Sequence, residues 1–182
     1  MSPLLAALDA HVAADAEEAA DLELLRRLAR DEADPWSRAL PLHLTASALV
    51  VDPAAGRVLL RWHAKQERWL QVGGHADPGE VDPWAIASRE ADEETGLVDL
   101  RHWPGAEPAL AQVAIVEVNP VGDEPAHRHG DLRYLLATDR PGDLPAEVEG
   151  VPLRWSSVDE ALAVADPGLR RLLLLVGRRR AG

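Results

Sequence analysis

One predicted helix, residues 82–95, lies between two groups of β-forming segments, and this order restricts the chain to folds that combine strands with helices. Ahead of the helix, residues 43–52 and 57–63 are rich in β-forming side chains and are separated by a Pro-Ala-Ala-Gly turn, which predicts a hairpin. A third short strand is predicted at residues 69–72, directly before a Gly-Gly pair. The helix therefore follows a glycine turn at the end of a strand.

The segments after this helix return to β-forming patterns and then to helical ones. Strands are predicted at 110–118, 128–138 and 151–155, and helices at 158–164 and 167–180. Strands on both sides of one central helix, together with terminal helices, predict an α/β fold in which a mixed sheet lies between helices.

The first 40 residues differ from the rest and are predicted to be helical. Residues 3–33 are predicted as one helix, because apolar residues recur at three- and four-residue spacing and Pro35 ends the pattern. We therefore expect an N-terminal helical extension at residues 1–40 and a main domain at residues 41–182. The extension packs either on the main domain or on a second copy of the chain, and the second arrangement would give a homodimer.

Composition excludes several classes of protein. The 31 acidic and 19 basic residues give a net charge of −12, which argues against binding of extended nucleic acid, since that binding depends on Lys and Arg. The negative net charge does not exclude binding of a small phosphorylated ligand, because a bound divalent cation can supply positive charge. The absence of cysteine excludes disulfides, thiolate metal sites and cysteine nucleophiles. No apolar run approaches the roughly 18 residues of a membrane span, and the acidic N-terminal segment is unlike a signal peptide, so we expect a cytoplasmic protein without membrane contact.

The predicted helix carries three glutamates on one face. Glu90 lies three residues before Glu93 and four before Glu94, so their repulsion would destabilise an isolated helix by roughly 0.2–0.5 kcal/mol per pair. Arg89 can offset one of these charges but not all three. Carboxylate oxygens are the ligands that Mg²⁺ prefers, and this ion often binds substrate phosphates as well. The pattern therefore favours a metal site for phosphate chemistry, with an ordinary solvated helix face as the alternative.

Residues 74–97 read GHADPGEVDPWAIASREADEETGL. This segment resembles the Nudix box, whose pattern is Gly, five residues, Glu, seven residues, then Arg-Glu-apolar-any-Glu-Glu-any-Gly-apolar. Gly74 and Glu80 match the first part, and residues 89–97 match the second part throughout, but eight residues separate Glu80 from Arg89. The resemblance implies that Glu80 and Arg89 pair and orient the loop against the helix. The extra residue leaves the role of Glu80 open.

The resemblance to the Nudix family also implies a fold and a metal site. The fold would be the Nudix-type α/β/α sandwich, with the N-terminal helical segment outside it. Glu90 and Glu94 would be the principal ligands of Mg²⁺ or Mn²⁺, and Glu93 would be a third ligand or the group that activates water. The backbone carbonyl of Gly73 would supply a further ligand.

Several polar residues outside the box are candidates for the same site. His127, His129 and Asp131 would share one face of a strand, where they either add a metal ligand or substrate contact or form an ordinary polar start of the strand. His75 lies beside the glycine turn, where a phosphate would be within its reach. Other acids that could complete a metal site are Glu117, Asp123 and Glu124.

Basic and aromatic residues near the third strand have two interpretations. The basic residues are Arg57, Arg61, Lys65 and Arg68. They either steer an anionic substrate or are solvated charges of a hairpin. Trp62 and Trp69 either stack on a base or fill a core that contains no phenylalanine.

Together, the resemblance implies a metal-dependent hydrolase that cleaves a pyrophosphate linkage in a small nucleotide, a nucleoside diphosphate linked to another moiety. One alternative is an enzyme like isopentenyl diphosphate isomerase, which is disfavoured because that chemistry commonly uses a cysteine. The other is a non-catalytic nucleotide-binding module of the same fold, which is disfavoured because every acid of the box is present.

Overall fold

The computed structural model describes residues 2–120, 122 and 125–181, with side chains as far as residue 179. The helices are α1 (Pro3–Ala10), α2 (Ala16–Asp31), α3 (Pro83–Thr95), α4 (Val158–Val164) and α5 (Pro167–Ala181), and a short 3₁₀ turn spans Pro141–Asp143. The strands are β1 (Leu42–Asp52), β2 (Arg57–His63), β3 (Arg68–Leu70), β4 (Val72–Gly74), β5 (Arg101–His102), β6 (Gln112–Val118), β7 (His127–Ala137), β8 (Glu147–Val148) and β9 (Val151–Ser157). Within these described residues, no helix has the length and apolar character that would let it cross a membrane.

Strand β1 is the centre of a mixed sheet. It pairs in parallel with β7, so that His43 lies opposite His129, and antiparallel with β2 and with β4. The order along the sheet is β5-β7-β1-β2-β9-β8, with β3 added to β2 and β6 added to β7. The predicted α/β fold with a mixed sheet is confirmed.

Alternate residues of β1 enter two separate apolar cores. Leu44 and Ala46 belong to the core that also contains Ile86 of α3, whereas Leu49 belongs to the core that contains Leu172 of α5. Because successive side chains of a strand point to opposite faces, both faces of the sheet are covered by helices. The result is the expected three-layer α/β/α sandwich.

Two predicted elements differ from the structure. The single helix predicted at residues 3–33 is wrong, because the chain breaks into α1 and α2 where the Asp15 side chain caps α2 by accepting a hydrogen bond from the Glu18 N–H at 2.9 Å. The single strand predicted at 69–72 is also wrong. The chain changes partner at Gln71, since β3 pairs with β2 and β4 pairs with β1.

The N-terminal helices pack on the main domain of the same chain. Leu8 and Leu25 are fully buried in the core beneath α3. Two carboxylates of α2 also bind the backbone of β6: Glu18 accepts from the Val113 N–H at 2.9 Å, and Asp21 accepts from the Ile115 N–H at 3.0 Å. The N-terminal extension therefore accepts hydrogen bonds from two backbone N–H groups of β6, the strand that pairs with β7.

We expect Glu18→Gln to lower the free energy of unfolding by about 1–3 kcal/mol, because a buried charge-assisted acceptor is lost. Burial by itself would raise the pKa of Glu18, but hydrogen bonds from His11, the Ala14 N–H and the Val113 N–H outweigh it and hold the pKa below its usual value of 4.5. A lowered pKa gives stability that is present above the unfolded-state pKa and is lost as the pH falls through the folded-state value. Urea unfolding of the unmodified chain and of Glu18→Gln should therefore show a difference in the free energy of unfolding at neutral pH. This difference should shrink on acidification. Glu23→Gln, an exposed position of α2, is the control, and a pH-independent difference would contradict the argument.

Candidate active site

The glycine turn packs closely against strand β1 and against the acidic face of helix α3. Gly73 has a φ of 140°, and a Cβ there would lie 2.4 Å from the Ser47 Cα of β1. A Cβ on Gly74 would lie 2.8 Å from the carboxylate of Glu90. The missing side chains therefore bring the backbone of the turn against both the central strand and the acidic face of α3.

Glu80 and Arg89 form a bidentate pair across the loop. Arg89 Nε donates to Glu80 Oε1 at 3.0 Å, and a terminal nitrogen donates to Glu80 Oε2 at 2.8 Å. The same terminal nitrogen donates to the backbone carbonyl of His75 at 3.0 Å, which ties the loop after the turn to α3. Asp82 caps the Trp84 N–H at 3.0 Å and α3 begins at Pro83, so the extra residue is accommodated before the helix without separating the pair.

Arg89 also contacts two of the three glutamates. Its other terminal nitrogen donates to Glu90 Oε1 at 3.1 Å and to Glu93 Oε2 at 3.0 Å. The hydrogen bonds that Glu80 accepts from Arg89 lower the pKa of Glu80, and the same hydrogen bonds raise the pKa of Arg89. Arg89 is therefore a fixed cation that organises the acidic face.

Glu94 has a different set of partners. Its Oε2 accepts from the Gly73 N–H at 3.0 Å, and its Oε1 lies 3.0 Å from a terminal nitrogen of Arg61 on β2. Arg61 was one of the basic residues with two interpretations, and it is neither a solvated hairpin charge nor distant from the site. Sequence reasoning did not connect it to Glu94, because the pairing of β2 with the rest of the sheet brings it there.

The three glutamates differ in exposure. The side chains of Glu90 and Glu94 are 15% and 18% exposed, whereas that of Glu93 is 59% exposed. Burial raises the pKa of Glu90 despite Arg89, and the neighbouring glutamates add to this effect. Burial likewise raises the pKa of Glu94 despite the Gly73 N–H and Arg61. Both buried carboxylates would therefore be held in the ionised form more firmly by additional positive charge.

The three glutamates lie along one face, yet they do not bring one oxygen each within 4.8 Å of one another in the described structure. The glutamates bind different cations. Arg89 pairs with Glu90 and Glu93, whereas Arg61 pairs with Glu94.

Asp131 is held by hydrogen bonds inside the sheet. It accepts from Thr45 Oγ1 at 3.1 Å, Ser47 Oγ at 3.0 Å, Gln71 Nε2 at 3.3 Å and Arg133 Nε at 2.7 Å. Both of its oxygens are therefore engaged by donors, which fits a role in fixing β1 against β7 better than that of a metal ligand.

The remaining acidic candidates do not join the site. Glu117 is exposed on β6, opposite Arg128 in the register with β7, and it belongs to no close group of ligand atoms among the described residues. Asp123 and Glu124 lie outside the described residues.

The remaining basic and aromatic candidates differ in their surroundings, and Arg68 lies 3.5 Å from Asp166, which lines a cavity beside the glycine turn. Arg57 forms a 2.7 Å ion pair with Asp52, and Lys65 is exposed. Trp62 and Trp69 lie edge to face with ring centroids 5.5 Å apart and are half-buried, and Trp69 packs against the core that contains Leu172. The guanidinium of Arg154 lies 4.0 Å from the centre of the Trp69 ring, where a base would otherwise stack.

A cavity of about 240 Å³ opens beside the glycine turn. Its polar lining includes Ser47 of β1, Gln71 before β4, His75 after β4, and His129 and Asp131 of β7. The cavity therefore places a ligand next to the turn that contacts α3.

Comparisons with known proteins agree with this geometry. The family model of the NUDIX domain matches residues 41–176. A C. elegans Ap4A hydrolase in a binary complex has 22% identity and a TM-score of 0.57, over 76% of this chain and 98% of its own. The E. coli dihydroneopterin triphosphate pyrophosphohydrolase has 17% identity and a TM-score of 0.54, over 74% of this chain and 92% of its own. The mutator MutT protein from Bacillus halodurans has 20% identity and a TM-score of 0.51, over 72% of this chain and 81% of its own. No curated protein sequence matches.

The solved structures share the fold at low sequence identity, and the family model extends over most of the chain. The match begins at the residue that precedes β1 and contains the glycine turn, α3 and the strands around them. The chain therefore belongs to the NUDIX-domain family, and its enzyme class is that of a Nudix-type pyrophosphohydrolase.

Proposed function

We propose that the enzyme uses Mg²⁺ or Mn²⁺ to hydrolyse a pyrophosphate linkage in a nucleoside diphosphate that is linked to another moiety. The observation that carries this proposal is the contact between the glycine turn and the acidic face of α3, in which Gly73 binds Glu94 and Gly74 lies against Glu90. Residues 41–182 would form the catalytic domain, and the family match over residues 41–176 supports that division.

The donor set suits a hard divalent ion. Carboxylate oxygens are the ligands that Mg²⁺ and Mn²⁺ take, and burial raises the pKa of Glu90 and of Glu94 even though each contacts an arginine, so a bound cation would favour their ionised form. Glu90, Glu94 and the carbonyl of Gly73 would hold the ion, with Glu93 as a further ligand. When bound, the ion would lower the pKa of a coordinated water and neutralise charge on the diphosphate.

Residues of the chain itself would provide proton transfer and would position the reacting groups. Glu93 is the most exposed of the three glutamates, and it would accept the proton of the attacking water if it is not itself a ligand. The water oxygen forms a bond to one phosphorus while the bond from that phosphorus to the bridging oxygen breaks, and the bridging oxygen leaves with the second phosphate. Arg89, held by Glu80, would keep Glu90 and Glu93 in position.

The cavity beside the turn would hold the part of the substrate that carries the phosphates. Two structural neighbours are an Ap4A hydrolase and a dihydroneopterin triphosphate pyrophosphohydrolase, and both names denote hydrolysis of a phosphate anhydride, which supports this substrate class. The cavity of about 240 Å³ is below the roughly 300–1,000 Å³ of pockets that enclose small ligands, so the base would extend beyond it.

A panel of substrates with and without Mg²⁺ tests the proposal. Nucleotide sugars, ADP-ribose, dinucleoside polyphosphates and oxidised nucleoside triphosphates should be separated by chromatography after incubation with the enzyme. We expect hydrolysis of at least one class that requires the metal. Tight nucleotide binding without turnover would instead indicate a non-catalytic module, and rearrangement of isopentenyl diphosphate without phosphate release would indicate an isomerase.

A homodimer is a separate part of the proposal. The apolar face of the N-terminal helices packs on their own chain, so a dimer would have to use another surface. Light scattering of the full chain measures its mass directly.

A further inference from the structure

A second group of potential metal ligands lies beside the glycine turn and contains no carboxylate. His43 of β1, His75 after β4 and His129 of β7 place one ring nitrogen each within 4.8 Å of one another. His43 Nε2 lies 3.1 Å from His75 Nε2, and His127 Nε2 lies 3.1 Å from His129 Nε2. We call these four residues the histidine cluster.

In both His43 and His127, a backbone carbonyl determines which ring nitrogen carries the hydrogen. Nδ1 of His43 lies 3.0 Å from the Leu40 carbonyl, and Nδ1 of His127 lies 2.9 Å from the Pro125 carbonyl. A carbonyl oxygen only accepts, so Nδ1 must donate and Nε2 of the neutral ring keeps its lone pair. Metal-binding histidines show this same arrangement, in which the second nitrogen donates to a carbonyl and fixes the orientation of the ring.

The spacing of the rings suits one tetrahedral ion. With Zn–N bonds of about 2.0–2.1 Å, two nitrogens on the same ion lie about 3.3 Å apart, close to the separation in each of the two ring pairs. The ligand nitrogens of His43, His75 and His129 lie within 4.8 Å of one another, so they would move closer together on binding one ion. All four ring centroids also lie close together, with His43 at 5.2 Å from His75, 5.2 Å from His127 and 4.9 Å from His129.

The ligand type distinguishes this group from the acidic face of α3. Imidazole nitrogens suit Zn²⁺ and similar transition ions, whereas Mg²⁺ prefers oxygen ligands. Asp131, two residues after His129, is engaged by Thr45, Ser47 and Arg133 and would stay outside the coordination sphere.

We propose that His43, His75 and His129 bind a divalent transition ion of the zinc type, with His127 as a fourth ligand. The ion would join the start of β1, the loop after the glycine turn and the start of β7. Two of its ligands, His75 and His129, line the cavity beside the turn, so the ion would also add positive charge to the cavity wall. This site shares no ligand with the Mg²⁺ or Mn²⁺ site proposed above and does not depend on it.

Zinc binding by the metal-stripped full chain tests the proposal. Competition with a chromophoric chelator should show one tightly bound Zn²⁺ per chain, and Co²⁺ should give the intense visible absorption of a tetrahedral site. His43→Ala and His129→Ala should each weaken binding by about 10-fold or more, since loss of even an outer-shell partner costs about 10–100-fold. His129→Asn provides a variant of similar size in case the alanine variants fold poorly.

Two controls separate this site from other positions. His63→Ala changes a histidine of the same cavity that lies outside the cluster, and the double variant Glu90→Gln with Glu94→Gln changes the acidic face. Both should bind Zn²⁺ as the unmodified chain does, and Zn²⁺ should raise the Tm of both but not that of His43→Ala. Unchanged affinity in the folded His43 and His129 variants, or no tight binding by the unmodified chain, would overturn the proposal.

Discussion

Glu94→Gln should reduce kcat for hydrolysis by about 100-fold or more, because the neutral amide removes a negatively charged ligand from the proposed metal site. The fold should survive, since the amide oxygen can still accept from the Gly73 N–H. The measurement is kcat at saturating Mg²⁺ on whichever substrate class is hydrolysed, together with a circular dichroism spectrum.

Two further variants complete this experiment. Glu93→Gln should also lose activity, whether Glu93 is a ligand or the group that accepts the proton. Asp92→Asn is the matched control, because it removes one negative charge from an exposed position of the same helix and should leave kcat unchanged. Activity that survives both glutamate substitutions would contradict the proposed mechanism.

Gly73→Ala should lower the free energy of unfolding by about 2–6 kcal/mol. A side chain at a φ of 140° is strained, which costs about 1–3 kcal/mol, and its Cβ would lie 2.4 Å from the backbone of Ser47, which adds about 1–3 kcal/mol of overpacking. Movement of the turn away from β1 would also displace it from α3, so activity should fall together with stability. Urea unfolding and kcat measure the two effects.

Alanine substitutions at two other glycines separate the cost of backbone strain from the cost of steric collision. Gly79 has a φ of 93°, but a Cβ there meets nothing within 4 Å, so Gly79→Ala should show only the strain of about 1–3 kcal/mol. Gly105 has open space and no positive φ, so Gly105→Ala should change stability by no more than about 0.5 kcal/mol. Equal losses for Gly73→Ala and Gly79→Ala would show that close approach to β1 is unimportant.

The predicted elements were most accurate where the signal was local. The hairpin of β1 and β2 follows from a turn between two β-forming runs, and α3 follows from Pro83 at its start and Gly96 at its end. The predictions were wrong where a side-chain cap started a second helix and where a strand segment changed its pairing partner. Asp15 starts a second helix within residues 3–33, and Gln71 divides the predicted third strand.

The histidine cluster shows what the sequence could not reveal. His75, His127 and His129 stood out as polar residues near expected loops, but His43 looked like the first residue of a buried strand. The parallel register of β1 with β7 places His43 opposite His129, although 85 residues separate them in the chain. No sequence signal near His43 predicts that pairing, because strand partners are selected by the packing of the whole sheet.

The sequence by itself determined the family, the α/β class and the residues of the box, because spacing along one helix is enough to put three glutamates and an arginine on the same face. Only the tertiary structure decided which charges meet. Arg61 reaches Glu94, Glu18 reaches the backbone of β6, and His43 meets His75 and His129, since each of these contacts joins segments that are distant in the chain and close only after the sheet has formed.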